Sequence, residues 1–475
     1  MTTAVAEAPD SHGLRQNWLA CGLVILLSAS VALAIHIPNY LHQDVAFLTW
    51  TADQVMRGAV FGRDVYDVNP PLSFLIYTPA AILGRVIGFD LAIKLWTAFV
   101  ASISIACVWQ TAEKSIRLPV IIALGLFFAL AFPREFGQRE QLAFLLTAPY
   151  VAGNSDRRGL AVLSGIMAGL GFALKPYFLV PLLLVFMTRR RLRTEEWTIA
   201  ATGLCYAAGL WLFFQPYLFE FLPKIAPLYW ATNPKTMGFI LQIVIVVPAL
   251  VLAQYWIAAP QRGTAGFGMA AIGFTLAVLL HRKGFPYHYL PPFGFLALFL
   301  AAMLENQRRF AQLTAALFIA LTAFRMATFA VPWFSDAEGR RAAIPPLLRE
   351  IDSSSSFSVL AAFNFPAFPT AILTDVPFLG MSPVNNFISA VGDAETGFVQ
   401  VDASEARRLA LQQAVRELER KPELVIVDTD WSGLSARRMP FDGLAWFNRD
   451  PKFRALWQDY ELTGQFEDFQ FYRRK

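Results

Sequence analysis

The chain has 475 residues, of which 56% are hydrophobic and only 16% charged, with a mean hydropathy of +0.45. Soluble domains carry about a quarter charged residues, so this composition excludes an ordinary soluble protein and points to a polytopic membrane protein. The net charge of +5 is spread over short clusters between apolar runs, such as Arg189-Arg190-Arg191 and Arg308-Arg309. Topology-setting charges on cytoplasmic loops look like this, whereas a nucleic-acid footprint does not.

In chain order, a cytoplasmic tail over 1–17 precedes a transmembrane domain over 18–332, and a soluble α/β domain occupies 333–475. A span needs about 20 apolar residues. Candidates fall at 18–38, 70–88, 90–112, 118–133, 141–153, 160–174, 177–188, 196–214, 238–256, 264–281, 290–304 and 310–332. The first begins at Trp18 with no small-residue cleavage pattern after it, and reads as a retained signal anchor. The pairs 118–133 with 141–153, and 160–174 with 177–188, read as broken helices meeting at polar turns. Irregular backbone at that depth is tolerated where it lines a protein cavity, so these breaks predict one. Cys21, Cys107 and Cys205 lie in apolar stretches and read as small buried hydrophobes, not disulfides or metal ligands.

Clusters at Asp156-Arg157-Arg158, Arg189 to Arg193, Arg262 and Glu305 to Arg309 place those loops in the cytoplasm. The outer face then receives the loop over 39–69, the turn over 133–141, Lys175-Pro176, residues 215–235, residues 281–289 and the C-terminal domain. Parity constrains one segment. If 70–88 and 90–112 both cross, the 133–141 turn falls on the wrong side. Segment 70–88 carries Pro70, Pro71, Pro79 and Arg85, and is expected to dip without crossing cleanly, which gives about eleven spans.

In the soluble tail, Ala403–Lys421 reads as a helix with Asp402 or Ser404 available as its cap. Leu424–Asp428 is a short apolar run, read as a buried strand. Phe453–Tyr460 reads as a helix, Gln465–Tyr472 alternates like an edge strand, and Ser353–Ser356 is a loop.

Candidate chemistry sits in polar turns on one face. The first outer loop holds Asp44 and closes in Tyr66-Asp67-Val68-Asn69-Pro70-Pro71-Leu72. The turn Arg134-Glu135-Phe136-Gly137-Gln138-Arg139-Glu140 packs four charges between short spans. Lys175 caps a broken pair, and His281-Arg282-Lys283-Gly284-Phe285-Pro286-Tyr287-His288-Tyr289 is cationic and aromatic. A carboxylate can take or orient an acceptor proton, while Arg and Lys stabilise charge on a leaving phosphate. Each residue also has a structural role open to it. Asp44 can cap a helix over 45–57, the 134–140 charges can pair in a solvated turn, Lys175 can snorkel, and His288 can be a hydrogen-bonded interfacial histidine. No His/Cys/Asp set has metal-ligand spacing, although a divalent cation between Asp44 and Glu140 is compatible with the residue types. Nucleotide loops and nucleophile elbows are absent.

The order of these features resembles the GT-C superfamily of membrane glycosyltransferases that use polyprenyl-phosphate sugars, such as the protein O-mannosyltransferases and lipid A aminoarabinose transferases. Asp44 stands where those enzymes carry an acid after the first span. Tyr66 to Leu72 is similar to their aromatic-Asp segment before a Pro-Pro-Leu helix start. Glu140 matches a second acid that opens a later span, and Lys283 to His288 resembles a segment of bacterial members. The resemblance implies a GT-C-like polytopic α-helical fold with a C-terminal soluble α/β domain. It also implies an inverting transfer from a polyprenyl-phosphate sugar to a hydroxyl of a glycan, lipid or protein at the outer face of the cytoplasmic membrane. Asp44 would be the base and Glu140 its assistant. Arg139, Lys175, Arg282 and Lys283 would hold the phosphate, with His288, Tyr66 and Asn69 lining the substrate site. Two departures stand out. The aminoarabinose transferases have Lys where this chain has Asn69, and Val45 follows Asp44 where a second acid is common. A transporter or lipid flippase, and a sensor acting through the soluble tail, are the alternative readings; broken helices also occur in transporters.

Overall fold

The computed structural model describes residues 11–153, 155–189, 191–231, 237–257, 262–305, 337–381, 386–397, 402–429, 431 and 441–475, with scattered positions between 309 and 320. Most of the candidate span 310–332, and the expected boundary near 333, lie outside the described residues.

Helix α1 (Ser11–His36) leads to α2 (Gln43–Met56), α3 (Leu72–Leu75) and α4 (Thr78–Ile87). Then come α5 (Phe89–Thr111), α6 (Arg117–Leu130), α7 (Arg139–Ala152), α8 (Arg158–Ala173), α9 (Leu179–Arg189) and α10 (Thr194–Phe213). The series closes with α11 (Leu222–Ala231), α12 (Met237–Val244), α13 (Val246–Ile257), α14 (Arg262–His281) and α15 (Leu290–Met303). Side-chain sorting is that of a protein solvated by lipid. Leu19, Leu23, Leu26 and Leu27 on α1, and Leu204, Trp211, Leu212 and Phe213 on α10, face outward. An apolar surface of this extent in water would drive aggregation.

By length and apolarity, Trp18–His36, Phe89–Thr111 and Gly263–His281 each suffice to cross a bilayer. Helices α6, α8 and α13 are shorter. Residues 215–235, read as an outer loop, are helical through Ala231. A π-helical stretch at Pro216–Phe221 turns the chain 81° away from α10.

Helix α4 has ten residues and rises about 15 Å, half the hydrocarbon thickness. Both of its ends stay near residues 39–69. Arg85 near its C-terminus pairs with Asp53 of α2 at 2.8 Å, and Lys94 at the start of α5 donates to the Asn39 carbonyl at 2.8 Å. The segment 70–88 is thus two short helices, broken where Tyr77 intervenes, whose two ends lie near residues 39–69.

The C-terminal domain contains α16 (Ala337–Asp352), β1 (Phe357–Leu360), α17 (Ala367–Leu373), α18 (Asn386–Glu395), α19 (Ser404–Glu419), β2 (Leu424–Asp428), α20 (Gly443–Phe447), α21 (Pro451–Trp457), β3 (Tyr460–Phe466) and β4 (Phe469–Arg474). Its four strands run in the order β1-β2-β4-β3. β1 and β2 are parallel, which requires a crossover, and α19 lies on it. β2 is buried along its whole length, as its apolar run predicts. The segment read as one edge strand, 465–472, contains instead the turn of the β3–β4 hairpin. Strand β1 was not anticipated, because four residues are too few to show a period. Ala403 occupies the N-cap of α19 without a side-chain bond, while Asp402 accepts from the Ser404 N–H at 2.9 Å. Cys21 and Cys107 are buried, but Cys205 is exposed on the outward face of α10.

The domain docks on α2 through aromatic rings. Phe368 of α17 meets Phe47 at 5.7 Å and Trp50 at 5.6 Å between centroids, and Phe378 meets Trp50 at 5.6 Å. Offset and edge contacts of this kind add to area burial. They fix the domain over the polar end of the helix bundle.

Candidate active site

A cavity of about 290 Å³ lies where the turns 39–44, 67–69, 133–139, 175 and 283–287 meet the C-terminal domain. Of the residues expected from sequence, Asp44, Asn69, Arg139, Lys175 and Lys283 line it. Glu140 and His288 lie buried directly behind Lys175. Arg282, with a left-handed φ of 56°, is exposed and off the cavity. Tyr66 is also off it, stacked on Phe221 and edge-on to Phe387, where it supports the wall.

Asp44 sits in the first turn of α2, where the helix dipole favours an anion. It is not the cap. His42 occupies the N-cap, and its Nδ1 accepts from the Asp44 N–H at 3.1 Å. Gln138 Nε2 lies 2.9 Å from the same nitrogen, and Nε2 of the ring faces Glu135 at 3.7 Å. One oxygen of Asp44, Oδ1, accepts from Asn364 Nδ2 at 2.5 Å. The other, Oδ2, stands 3.8 Å from His42 Nδ1 and accepts no hydrogen bond from the described residues.

Arg139 opens α7 and is buried. The turn that places it depends on Gly137, at φ +80°, a conformation costly for residues with a Cβ. Tyr77 Oη donates to the Gly137 carbonyl at 2.6 Å, and the Gly137 N–H donates to Gln141 Oε1 at 2.7 Å. The guanidinium nitrogens Nε and Nη1 have no hydrogen-bond partner among the described residues. A guanidinium keeps its charge in proteins, and leaving such a group unpartnered and buried is costly. Arg139 lines the cavity, where its charge favours an anion. Glu140, Asp67 and Asp44 lie near enough to balance its charge.

Lys175 is an ion pair with Glu140, 3.5 Å from His288 Nε2 and within 5.7 Å of the Tyr287 ring centroid. Glu140, expected at the substrate, is turned to Lys175 and leaves the cavity wall. No group of three His, Cys, Asp or Glu side chains among the described residues is arranged to hold a metal ion. Lys283 donates to the Tyr229 carbonyl and faces Asp393 of α18 electrostatically. Burial brings the Lys283 ammonium down to about 8, opposed by Asp393, and raises the Asp393 carboxyl to about 6, opposed by Lys283. Burial likewise raises Glu135 and drives His288 well below the usual imidazole range, so His288 is neutral.

Residues that sequence reasoning left out of the site are Asp67, His42, Glu135, Asn364 and Asp393. Asp67 had a local signal. Its Oδ1 accepts from the Asn69 N–H at 3.1 Å and from Asn69 Nδ2 at 2.8 Å, the Asx-turn geometry typical of Asp-X-Asn before a helix. Burial raises its carboxyl, opposed by Arg139. Asn364 and Asp393 had no signal, since only the docking of the C-terminal domain brings them there.

No family model matches the sequence, and no curated protein matches it. Among solved structures, ArnT from Cupriavidus metallidurans, crystallised bound to undecaprenyl phosphate, aligns at 12% identity over 96% of this chain and 97% of its own, with a TM-score of 0.59. The oligosaccharyltransferase of Archaeoglobus fulgidus, in complex with zinc and sulfate, aligns at 10% identity over 95% of this chain and 73% of its own, with a TM-score of 0.43. Arabinofuranosyltransferase AftD from Mycobacteria aligns at 13% identity over 99% and 42%, with a TM-score of 0.42.

Proposed function

We propose that this chain, whose fold is that of the GT-C membrane glycosyltransferases, is an inverting glycosyltransferase. Its donor is a sugar carried on a polyprenyl phosphate and its acceptor a hydroxyl on a glycan, lipid or protein. The observation that carries the reading is the pairing at one cavity of a carboxylate, Asp44, whose Oδ2 accepts no hydrogen bond from the described residues, and a buried guanidinium, Arg139, with two nitrogens unpartnered among those residues. A base and a phosphate site are the two things this reaction needs.

The acceptor hydroxyl attacks the anomeric carbon from the Asp44 side. Oδ2 takes the hydroxyl proton as the new C–O bond forms. The bond from the anomeric carbon to the phosphate oxygen breaks, and its electron pair leaves with the polyprenyl phosphate. Attack opposite the leaving group inverts the centre. Arg139, Lys175 and Lys283 stabilise the charge gathering on that phosphate, and a phosphate leaves as an anion without a general acid. Asp67 is less suited to be the base, because burial raises its carboxyl and Oδ1 is engaged by Asn69. Glu140 fixes Lys175, and a divalent cation is not needed for this scheme.

The proposed placement of the cavity and C-terminal domain, at the outer face of the cytoplasmic membrane, rests on the orienting charges. The proposed topology has about eleven crossings, with α12 and α13 counted together and 310–332 as the last. Purified protein in detergent should bind undecaprenyl-phosphate sugars and release sugar slowly with water as stand-in acceptor. Failure to bind any polyprenyl-phosphate donor would contradict the reading and favour a transporter.

A further inference from the structure

The C-terminal domain reaches the reacting groups at one point that the sequence does not announce. Asn364 lies 320 positions from Asp44 in the chain, yet its side-chain amide donates to Asp44 Oδ1 at 2.5 Å. We propose that Asn364 is a positioning residue for the catalytic base, so that the active site is completed only when the soluble domain is docked. The inference rests on the glycosyltransferase reading above.

Three observations support it beyond the hydrogen bond. First, the two carboxylate oxygens are differentiated. Asn364 engages Oδ1, while Oδ2 accepts nothing from the described residues and is left for the acceptor hydroxyl. A carboxylate tied at one oxygen, on a backbone whose N–H is held by His42, is restrained by the Asn364 bond, and rotation is what misaligns a proton acceptor.

Second, the backbone around Asn364 is held on both sides. The Phe368 N–H donates to the Asn364 carbonyl at 2.7 Å, and Ser389 Oγ donates to the Ala362 carbonyl at 3.3 Å. The neighbouring Phe365 ring packs on Phe469 at 5.5 Å. Third, the rings that dock the domain lie on the helix that carries the base. Phe47 and Trp50, which hold Phe368, are one and two turns along α2 from Asp44. Displacing the domain therefore moves Asn364 and the apolar wall of Phe363 and Phe387 away from the base together.

This division of labour makes the soluble domain a part of the chemistry and not only a cover for it. The amide acts through Asp44, so its removal should alter turnover and leave donor affinity, which depends on Arg139, Lys175 and Lys283, unchanged.

The test measures sugar release from an undecaprenyl-phosphate sugar by the full-length protein and by Asn364→Ala, Asn364→Asp and Asn364→Gln, each with a melting curve in detergent. Loss of a hydrogen bond to a charged group predicts a fall in kcat of roughly 10- to 100-fold with donor KM unchanged. Asn364→Asp keeps the volume and removes the donor, so it should lose at least as much even if the alanine variant folds poorly. Asn364→Gln keeps the amide and should recover part of the loss. A folded alanine or aspartate variant with wild-type kcat overturns the inference, as does a loss carried in donor KM. If the wild-type protein releases no sugar, the transferase reading itself fails, and that outcome is distinct from the other two.

Discussion

Replacing Arg139 with Met tests the anion site without touching the base. Each buried, unmade hydrogen bond costs about 1–3 kcal/mol, and Arg139 has two such nitrogens, Nε and Nη1. A phosphate that satisfies both removes a penalty of roughly 2–6 kcal/mol. Allowing for the phosphate's own desolvation, Arg139→Met should weaken transition-state stabilisation by about 2–4 kcal/mol, or roughly 30- to 1,000-fold in kcat/KM. Stability separates this from a structural role. In the free protein, the charge balance lost to Glu140, Asp67 and Asp44 is offset by removing two unpartnered groups, so the melting temperature should move by a few degrees only. Lipid binding makes the sharper contrast. Undecaprenyl phosphate at about 100 times its Kd should stabilise the wild-type protein by about 2.7 kcal/mol, and the variant by much less. The assay is a melting curve in detergent with and without the lipid, beside sugar release. A variant stabilised by the lipid as strongly as the wild type would refute the reasoning. A collapse of the free variant would make Arg139 a structural counter-ion instead.

Donor binding should depend on pH through Lys283. Its ammonium loses its proton at about 8, so donor KM should rise as pH climbs through that value, and Lys283→Arg should extend the plateau upward; an unchanged break in a KM profile from pH 6 to 9.5 would exclude Lys283 as the phosphate partner. Stability carries the opposite sign for this group. The folded-state value lies below the ordinary lysine value of 10.5, so the lysine contributes rising stability from about 8 to 10.5 as the unfolded chain gives up its extra proton. Lys175→Met should destabilise by about 3–5 kcal/mol, because it strands the buried Glu140 carboxylate. Adding Glu140→Gln to that variant should restore part of the loss, which a double-mutant cycle by chemical denaturation would detect. Gly137→Ala should cost about 1–2 kcal/mol through its positive φ and lower sugar release by shifting Arg139; a variant unchanged in both would show that the turn tolerates a side chain.

The parts of this site that were legible in the sequence are those whose placement is local. Asp44 follows the first apolar run, Arg139 and Lys175 stand at breaks between short helices, and Lys283 sits in a turn, so topology alone brings them to one face. The break inside 70–88 agrees with Pro70, Pro71 and Pro79, which argue against one continuous helix there. What the sequence hid is set by side-chain direction and long-range docking. Arg282 and Lys283 are adjacent, yet only the lysine lines the cavity, while the arginine stands at a left-handed φ with its side chain exposed. Glu140 was expected beside Asp44 as a catalytic acid from its position at a helix start, but it pairs with the buried Lys175. Asn364 lies in a stretch with no charge pattern, and its role depends on Phe368 packing against Phe47 and Trp50. β1 is too short for periodicity, and the β3–β4 turn falls between two runs that each alternate.

The most direct test of the account compares wild type with Asp44→Asn for release of sugar from an undecaprenyl-phosphate sugar. Asparagine keeps an oxygen for Asn364 and nearly the same shape, but it cannot take a proton. The account predicts intact expression, normal lipid binding and a fall in turnover of about 10²- to 10⁴-fold. Near-normal turnover by Asp44→Asn would remove Asp44 as the base and with it the proposed mechanism.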